Sequence, residues 1–381
     1  MARMRVTLVN RLAAIHRGGG EIYDLSLARA LRAAGAEVDI VAGAPAFSPP
    51  PAPIEETPAR YVRTPYLRSL AHRLGRGGWR LLDLDLRLFE EAAFRLIRAS
   101  RPRPDVVHVT GLARLAHRLE SEIAIPSLVL FPGPPSLTHR ELIGRCLHVA
   151  GVGAVAPYLR ENFRTEIHEV TAGVDAGLFR PVPPIARERL GLDEGDRAIL
   201  FAGRLVPLKN LPLLAEAFAG IRHRVERARL VVAGDGPLRA DLVRRCARAG
   251  LRAEGTRPDV ILAGEVPHAA MAEIYAAADL VVLTSLDESF SLVALEAMAC
   301  GRAVLVPAAG YLPRLVEDRV TGRLYPPGEL QPLVDAGVHM LGDIGERRRL
   351  GEAARDAAMR RHTWDAVARE FLELYEGMAP A

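Results

Sequence analysis

The sequence contains almost no lysine. Of the 50 lysine and arginine side chains in 381 residues, only Lys209 is a lysine. Arginine presents a planar fork of donors, whereas lysine presents a compact point charge, so the two are not interchangeable where geometry matters. A chain that uses arginine for nearly every positive charge has an unusual lysine at 209, and we expect that position to have a function.

Cysteine and long apolar runs are also scarce. The three cysteines (Cys146, Cys246 and Cys300) are odd in number and far apart, which predicts buried thiols in a reducing compartment. No run of about 18 uncharged apolar residues occurs, so no transmembrane helix is predicted, and the apolar run before Asn10 is too short for a signal peptide. These absences predict a cytoplasmic globular protein.

Apolar strand-like runs alternate with amphipathic helical stretches through the whole chain. This alternation predicts parallel sheets covered by helices on both faces. It restarts after the proline-rich segment PVPPIARERLGLDEG (181–195), which is typical of a domain connector. We therefore predict two doubly wound α/β domains with the ligand between them, at the carboxyl ends of the strands. The predicted strands are 5–9, 38–42, 104–111, 126–131, 148–153, 168–172, 198–203, 228–236, 258–266, 278–285 and 301–308.

A glycine run lies between the first strand and the first helix, in HRGGGEIYDLSLARAL (16–31). Backbone amides of Gly18 and Gly19 could approach a phosphate or a sugar at the helix start. The pattern is not G-x-G-x-x-G, and only Asp39 could serve as the acidic partner, so a dinucleotide fingerprint is poorly supported. The alternative is a tight strand–helix turn.

Lys209 itself follows the first strand of the second domain, in FAGRLVPLKNLP (201–212). Gly203 and Arg204 come at the carboxyl end of that strand. A planar guanidinium and an ammonium together can hold a diphosphate. A surface pair of cations is the alternative, and the rarity of lysine favours the diphosphate site.

Two glutamates in DESFSLVALEAMACG (287–301) form a second candidate site. Glu288 follows a predicted strand, and Glu296 lies in a helix that Ser289 or Ser291 could cap. The amides around 290–293 would then face an anion. Carboxylates are poor phosphate ligands but good acceptors for sugar hydroxyls.

These motifs resemble those of the retaining glycosyltransferases of family 4, which have the GT-B fold. The resemblance is specific over most of residues 197–330, through FAGRLVPLKN, VVAGDGPLRADL, ILAGEVPHAAMAEIYAAADLVVLTSLDESFSLVALEAMACG and TGRLYPPGE. It is looser in GGGEIYDLSLARALRAAGAEV, PDVVHVTG and AGVDAGLFRP. It implies two Rossmann-like domains facing a central cleft: an acceptor-side domain, 1–180, completed by the closing helix 364–381, and a donor domain, 181–363.

The resemblance also implies roles for matching positions. Arg204 and Lys209 would bind the donor diphosphate, Glu296 the nucleotide ribose, and Glu288 the donor sugar. The remaining implied positions are Gly18 and Gly19 over the diphosphate, Gly203 beside it, the backbone of Phe290, Ser291 and Leu292 near the sugar, Val266 near the base, and His108 near the donor sugar.

The implied reaction moves a hexose-type sugar from a UDP- or GDP-sugar to an acceptor with retention of configuration. Neither a metal nor another cofactor is expected, because arginine and lysine would stabilise the leaving group. The acceptor (a glycolipid, a polysaccharide or a small molecule) is not implied, and no nucleic acid partner is expected. The alternatives are a catalytically silent nucleotide-sugar-binding subunit, or an epimerase or phosphorylase with the GT-B fold.

Positive charge is concentrated in residues 59–103, a segment that follows the proline-rich FSPPPAP (47–53) and is predicted to be helical. Between Arg60 and Arg103 the sequence has eleven arginines and four acidic residues. The segment therefore has a net charge of +7, while the rest of the chain has a net charge of −3. Within it, 66–89 mixes arginine with leucine, as an interfacial helix on an anionic membrane would. The alternative, which the pattern favours slightly, is an amphipathic helix packed on the first sheet.

Overall fold

The computed structural model describes residues 3–15, 19–46, 57–65, 67, 78–135 and 140–378. The chain divides into two compact units, one formed by residues 1–173 and 364–381 and the other by 174–363. The boundary lies seven residues before the predicted one at 180/181. Phe179 explains the shift, since its buried ring packs edge-on against His268 and Tyr275 of the second unit.

The first unit is built on a seven-stranded parallel sheet of order β3-β2-β1-β4-β5-β6-β7. Its central strands are Val/Leu/Ile-rich and buried on both faces, as strands covered by helices on both sides must be. The strands are β1 (Arg5–Asn10), β2 (Glu37–Pro45), β3 (Ala59–Thr64), β4 (Val106–Thr110), β5 (Ser127–Phe131), β6 (His148–Val152) and β7 (Ile167–Val170).

Helices cover the two faces of this sheet. Phe89, Phe94 and Leu115 pack on the face that carries Val9 and Val109. The opposite face receives the first and the last helices of the chain, which contact each other through the edge-on rings of Tyr23 and Trp364. The helices are α1 (Gly19–Ala33), α2 (Trp79–Ala99), α3 (Ala113–Ile123), α4 (Arg140–Ile143), α5 (Val155–Asn162) and α14 (Trp364–Met378).

The second unit repeats the design with a six-stranded parallel sheet of order β10-β9-β8-β11-β12-β13. Its strands are β8 (Arg197–Ala202), β9 (Ala228–Ala233), β10 (Val260–Gly264), β11 (Leu280–Val282), β12 (Val304–Pro307) and β13 (Arg323–Tyr325). Its helices are α6 (Ala186–Arg189), α7 (Leu211–Arg224), α8 (Arg239–Arg248), α9 (Met271–Ala277), α10 (Leu292–Ala299), α11 (Leu312–Leu315), α12 (Leu330–Gly342) and α13 (Ile344–Arg361), with 3₁₀ turns at Pro207–Lys209 and His268–Ala270.

The predicted α/β class with two Rossmann-like sheets is confirmed, but one local prediction was wrong. The start of the basic segment, Ala59–Thr64, is an edge strand paired with β2 rather than part of a helix. The helix that follows, α2, buries Phe89, Phe94 and Ile97 against the sheet, as the packed alternative predicted. Within the described residues, no helix is both long enough and apolar enough to span a membrane.

Candidate active site

The candidate site in the second unit lies where its strand order reverses direction. That reversal falls between β8 and β11, and α/β proteins bind ligands outside the carboxyl ends of the strands at such a point. The loop after β8 carries Gly203, Arg204 and Lys209, and the loop after β11 carries Glu288. The sequence-predicted residues of the second unit thus come from the two strands that flank the switch point.

Backbone contacts fix these two loops against each other. The Thr284 hydroxyl donates to the Lys209 carbonyl at 2.7 Å, and the Leu286 amide donates to the Leu208 carbonyl at 2.9 Å. Asn210 then turns the chain into α7 with a left-handed φ of 47°. These contacts fix the main chain of Lys209, so only its side chain can change its interactions.

Lys209 pairs with Glu288. Its Nζ lies 2.6 Å from Glu288 Oε1, and the Ser285 hydroxyl donates to the same oxygen at 2.7 Å. The lysine side chain is 19% exposed and the glutamate 10%, so this ion pair is largely shielded from water. Both donors use Oε1, so among the described residues the second oxygen of Glu288 has no hydrogen-bond partner and can bind a ligand.

The Glu288 loop is held in place from β12. The Tyr311 amide donates to the Glu288 carbonyl at 2.8 Å. Gly310, at φ 54°, approaches so closely that a Cβ there would lie 2.1 Å from that carbonyl oxygen. Any side chain at 310 would displace Glu288, so this glycine supports the site, a role that the sequence did not reveal.

Arg204 differs from Lys209 in that it points into solvent. Among the described residues it makes no ion pair or side-chain hydrogen bond, and it is exposed. Gly203 precedes it at φ 136°, a conformation that side chains rarely adopt. An unpaired guanidinium beside a shielded ammonium is a suitable arrangement for an anion with several oxygens.

The start of α10 adds backbone donors. Ser291 is the N-cap, and its hydroxyl accepts from the Ala294 amide at 3.4 Å, which confirms one of the two predicted caps. Ser291 has φ 83°, left-handed for a non-glycine residue, while Leu292 begins the helix. Phe290 is buried and stacks on Tyr311 at 4.9 Å, so only its backbone can serve a ligand.

Glu296 forms a separate cluster inside α10. Its Oε2 accepts from the Tyr275 hydroxyl at 2.8 Å, and its Oε1 lies 2.9 Å from His268 Nε2. The His268 ring in turn packs on Phe179. Val266 is half-buried in the loop that leads to His268. No hydrogen bond between described residues joins this cluster to the Lys209–Glu288 pair.

The structure does not support a catalytic role for His108 in the first unit. His108 is 0% exposed, its Nδ1 lies 2.5 Å from the Tyr375 hydroxyl, and its ring packs on Phe371 of α14. Burial lowers the pKa of His108 to about 3, so the ring is neutral. His108 lies within β4 and its ring packs against α14, so its side chain belongs to the core of the first unit, and a contact with the donor sugar stays a prediction.

The structure describes some of the other residues predicted for the first unit, but not all of them. Gly18 lies outside the described residues, and Gly19 is the first residue of α1. Asp39 lies near the start of β2 and bonds Thr7 and Arg60, so it does not close a dinucleotide site at the strand's carboxyl end.

A buried polar cluster that sequence reasoning missed occupies the carboxyl edge of the first sheet. Asp24 Oδ2 accepts from Asn10 Nδ2 at 2.5 Å and from the Thr110 hydroxyl at 2.6 Å. Asp24 is 2% exposed. Burial raises the pKa of its carboxyl to about 7, although the hydrogen bonds from Thr110 and Asn10 lower it. The signal in the sequence is an acidic residue on the apolar face of α1, one turn before Leu27 and Ala28.

One Asp-x-Asp sequence occurs, at Asp83-Leu84-Asp85 in α2. Asp85 is fully buried in an ion pair with Arg11, and Asp83 pairs with Arg87. Both carboxylates therefore neutralise arginines in the first unit, and the pair does not form a site for a divalent cation.

Comparison with known proteins gives two family matches. Residues 184–357 match the family model described as glycosyl transferases group 1, and residues 18–160 match the glycosyl transferase 4-like domain. Among curated relatives, a D-inositol 3-phosphate glycosyltransferase of Xylanimonas cellulosilytica is 32% identical, over 94% of this chain and 91% of its own length. The enzyme of the same name from Thermobispora bispora is 33% identical, over 94% and 89%.

Solved structures show the same fold. A sucrose-phosphate synthase from Thermosynechococcus elongatus superimposes with a TM-score of 0.80 at 24% identity, over 98% of this chain and 99% of that one. Anabaena HepE in complex with UDP and glucose gives 0.75 at 20% identity, over 98% and 100%. At these identities the likeness establishes the architecture alone.

Proposed function

Because the chain belongs to the glycosyl transferases group 1 family, with the GT-B fold, we propose that it transfers a hexose-type sugar from a UDP- or GDP-sugar to an acceptor hydroxyl. We further propose that it acts with retention of configuration and without a metal. The observation that carries the proposal is the shielded Lys209–Glu288 pair beside the exposed Arg204, at the switch point of the second sheet.

The chemistry of the donor explains this arrangement. Breaking a glycosyl–phosphate bond leaves negative charge on a nucleotide diphosphate, and cations placed where charge develops lower the barrier. Lysine has three donors, and Glu288 takes one of them, so two remain for phosphate oxygens. Arg204 adds a fork that matches a second phosphate. These two cations supply the charge that a divalent metal would otherwise provide.

The two glutamates would bind the neutral parts of the donor. Glu288 has one oxygen engaged twice and one free, which suits a sugar hydroxyl. Glu296 keeps one lone pair on each oxygen after Tyr275 and His268 are counted, which suits the paired hydroxyls of a ribose. The half-buried Val266 would lie against the base.

The acceptor is the least constrained part of the proposal. The two relatives compared above, which align with 94% of the chain, are named for D-inositol 3-phosphate. We therefore propose a hydroxyl-rich small molecule of this kind as the first acceptor to test.

A thermal-shift screen with UDP, GDP, ADP and dTDP, followed by nucleotide release from the corresponding sugars, tests the proposal. A ligand that binds only the folded state stabilises it by mass action, so UDP or GDP should raise Tm. Release should continue in EDTA, and the product anomer should match the donor. No shift and no release with any nucleotide would contradict the proposal, and loss of release in EDTA would contradict its metal-independent part.

A further inference from the structure

The strand order of the first sheet also reverses, between β1 and β4. Asn10 is the last residue of β1, and Thr110 is the last residue of β4. Asp24 reaches both of them from α1. The buried polar cluster therefore occupies the switch point of the first sheet, the position equivalent to that of the Lys209–Glu288 pair in the second.

When Asp24 is ionised, the hydrogen bonds of this cluster all point toward its carboxylate. A threonine hydroxyl has one hydrogen, and Thr110 donates it to Asp24 Oδ2 at 2.6 Å. The Asn10 amide donates to the same oxygen at 2.5 Å, while the Asn10 carbonyl oxygen accepts from the Leu12 amide at 2.8 Å. Asn10 is thereby locked in orientation. Thr110 is left with lone pairs and no free hydrogen.

Burial differs sharply within the cluster. Asp24 is 2% exposed and Asn10 5%, whereas Thr110 is half-buried. Asp24 Oδ1 is buried and has no hydrogen-bond partner among the described residues. An incompletely satisfied buried carboxyl costs stability, so its presence at the edge of the sheet points to a functional reason for keeping it. Thr110 is the member that a ligand can reach.

We propose that the Thr110 hydroxyl accepts a hydrogen bond from a substrate hydroxyl, and that Asp24 and Asn10 are positioning residues that hold it in the accepting orientation. The ligand group must be a hydrogen-bond donor, because a phosphate or carboxylate would offer only acceptors and would face Asp24, and under the proposed function that donor is a hydroxyl. Both a sugar ring and a polyol acceptor have this chemistry. The inference rests on the proposed function and specifies a subsite for it.

The test compares Thr110→Val, which keeps the shape and removes the hydroxyl, with Thr110→Ser, which restores it. Thr7→Val is the matched control, since Thr7 donates to Asp39 Oδ1 at the same 2.6 Å but lies in the middle of β1. One neutral hydrogen bond corresponds to roughly a five- to tenfold change. Thr110→Val should raise the substrate KM by about that factor with little change in kcat, while Thr110→Ser and Thr7→Val stay within about twofold of wild type.

Two assay arms identify the source of the hydroxyl. Hydrolysis of UDP-glucose without acceptor reports on the sugar ring, and transfer to D-inositol 3-phosphate reports on the acceptor. Asp24→Asn should raise KM in the same arm as Thr110→Val, as a positioning residue would. An unchanged KM for Thr110→Val in both arms would overturn the inference.

A binding measurement separates this inference from the proposed function. In calorimetric titrations, Thr110→Val should weaken Kd for UDP-glucose or for D-inositol 3-phosphate about tenfold, while UDP alone binds wild type and variant equally. That pattern without turnover would contradict the proposed function and support the subsite. Equal Kd values for wild type and variant with both probes would overturn the subsite, whether or not turnover occurs.

Discussion

Glu288 and Glu296 differ in how their oxygens are used, and this difference predicts different mutational effects. Glu288→Gln removes the charge that holds Lys209, so it should reduce kcat more than nucleotide affinity. Glu296→Gln should do the reverse and raise the nucleotide Kd about tenfold, since Tyr275 and His268 position a carboxylate there. Steady-state kinetics and nucleotide titrations distinguish them, with the exposed Glu254→Gln as control. Equal effects of both variants on kcat and on Kd would contradict the separate roles.

Asp24 makes stability depend on pH. Its pKa is raised from 3.8 to about 7 in the folded protein, chiefly by burial, so the unfolded state loses this proton first. Stability from this group is therefore fully present below pH 3.8 and is lost as pH rises through about 7. The full contribution of such a pKa shift to the free energy of unfolding is on the order of 4 kcal/mol.

Chemical denaturation of wild type and Asp24→Asn from pH 4 to 8 measures that dependence. The advantage of wild type over the variant should shrink steadily across this range. Glu90 and Glu120, whose pKa values burial also raises to about 7, cancel in the difference. A difference that does not change with pH would show that Asp24 is not a buried titrating group.

Among the secondary-structure elements, α14 shows how a polar contact anchors a helix to a sheet. Tyr375→Phe would leave Nδ1 of the fully buried His108 unpaired. An unsatisfied buried group costs about 1–3 kcal/mol, so the free energy of unfolding should fall by that amount. Since His108 packs the core, kcat/KM of the folded variant should stay within about twofold of wild type. A large loss of activity with unchanged stability would restore a catalytic role for His108.

The elements most visible in the sequence were those with long apolar runs. The strands around Val107, Val129 and Val231 were predicted to within a few residues because both of their faces are buried. The edge strand Ala59–Thr64 was missed because Arg60 and Arg63 are three residues apart, a spacing typical of one face of a helix, and β13 was missed because it has only three residues.

The site was predictable to a similar degree. Arg204, Lys209 and Glu288 lie in the loops that follow two neighbouring strands, and parallel strands bring such loops to one edge. The partners Ser285, Tyr275 and His268 could not be predicted, because their contacts depend on how the loops turn. His108 lies between the buried Val107 and Val109, and only the family resemblance indicated a position near the donor sugar.

For the whole molecule, contact with an anionic membrane through residues 59–103 stays a prediction. Leu84 and Leu88 of α2 are 46% and 40% exposed and lie one turn apart beside Arg80 and Arg87. Co-sedimentation with anionic vesicles at low salt should pellet wild type, and Leu84→Gln with Leu88→Gln should reduce the pelleted fraction. The exposed Leu147→Gln is the control. No pelleting of wild type at low salt would end the hypothesis.

The central claim is that one lysine stabilises the departing nucleotide diphosphate. It is tested most directly by the kcat/KM of nucleotide release for Lys209→Ala, beside wild type and the exposed control Arg224→Ala. Loss of a donor to a developing negative charge predicts a decrease of about a hundredfold or more for Lys209→Ala, with cooperative unfolding retained and the control unchanged. Wild-type turnover by a folded Lys209→Ala variant would contradict the account.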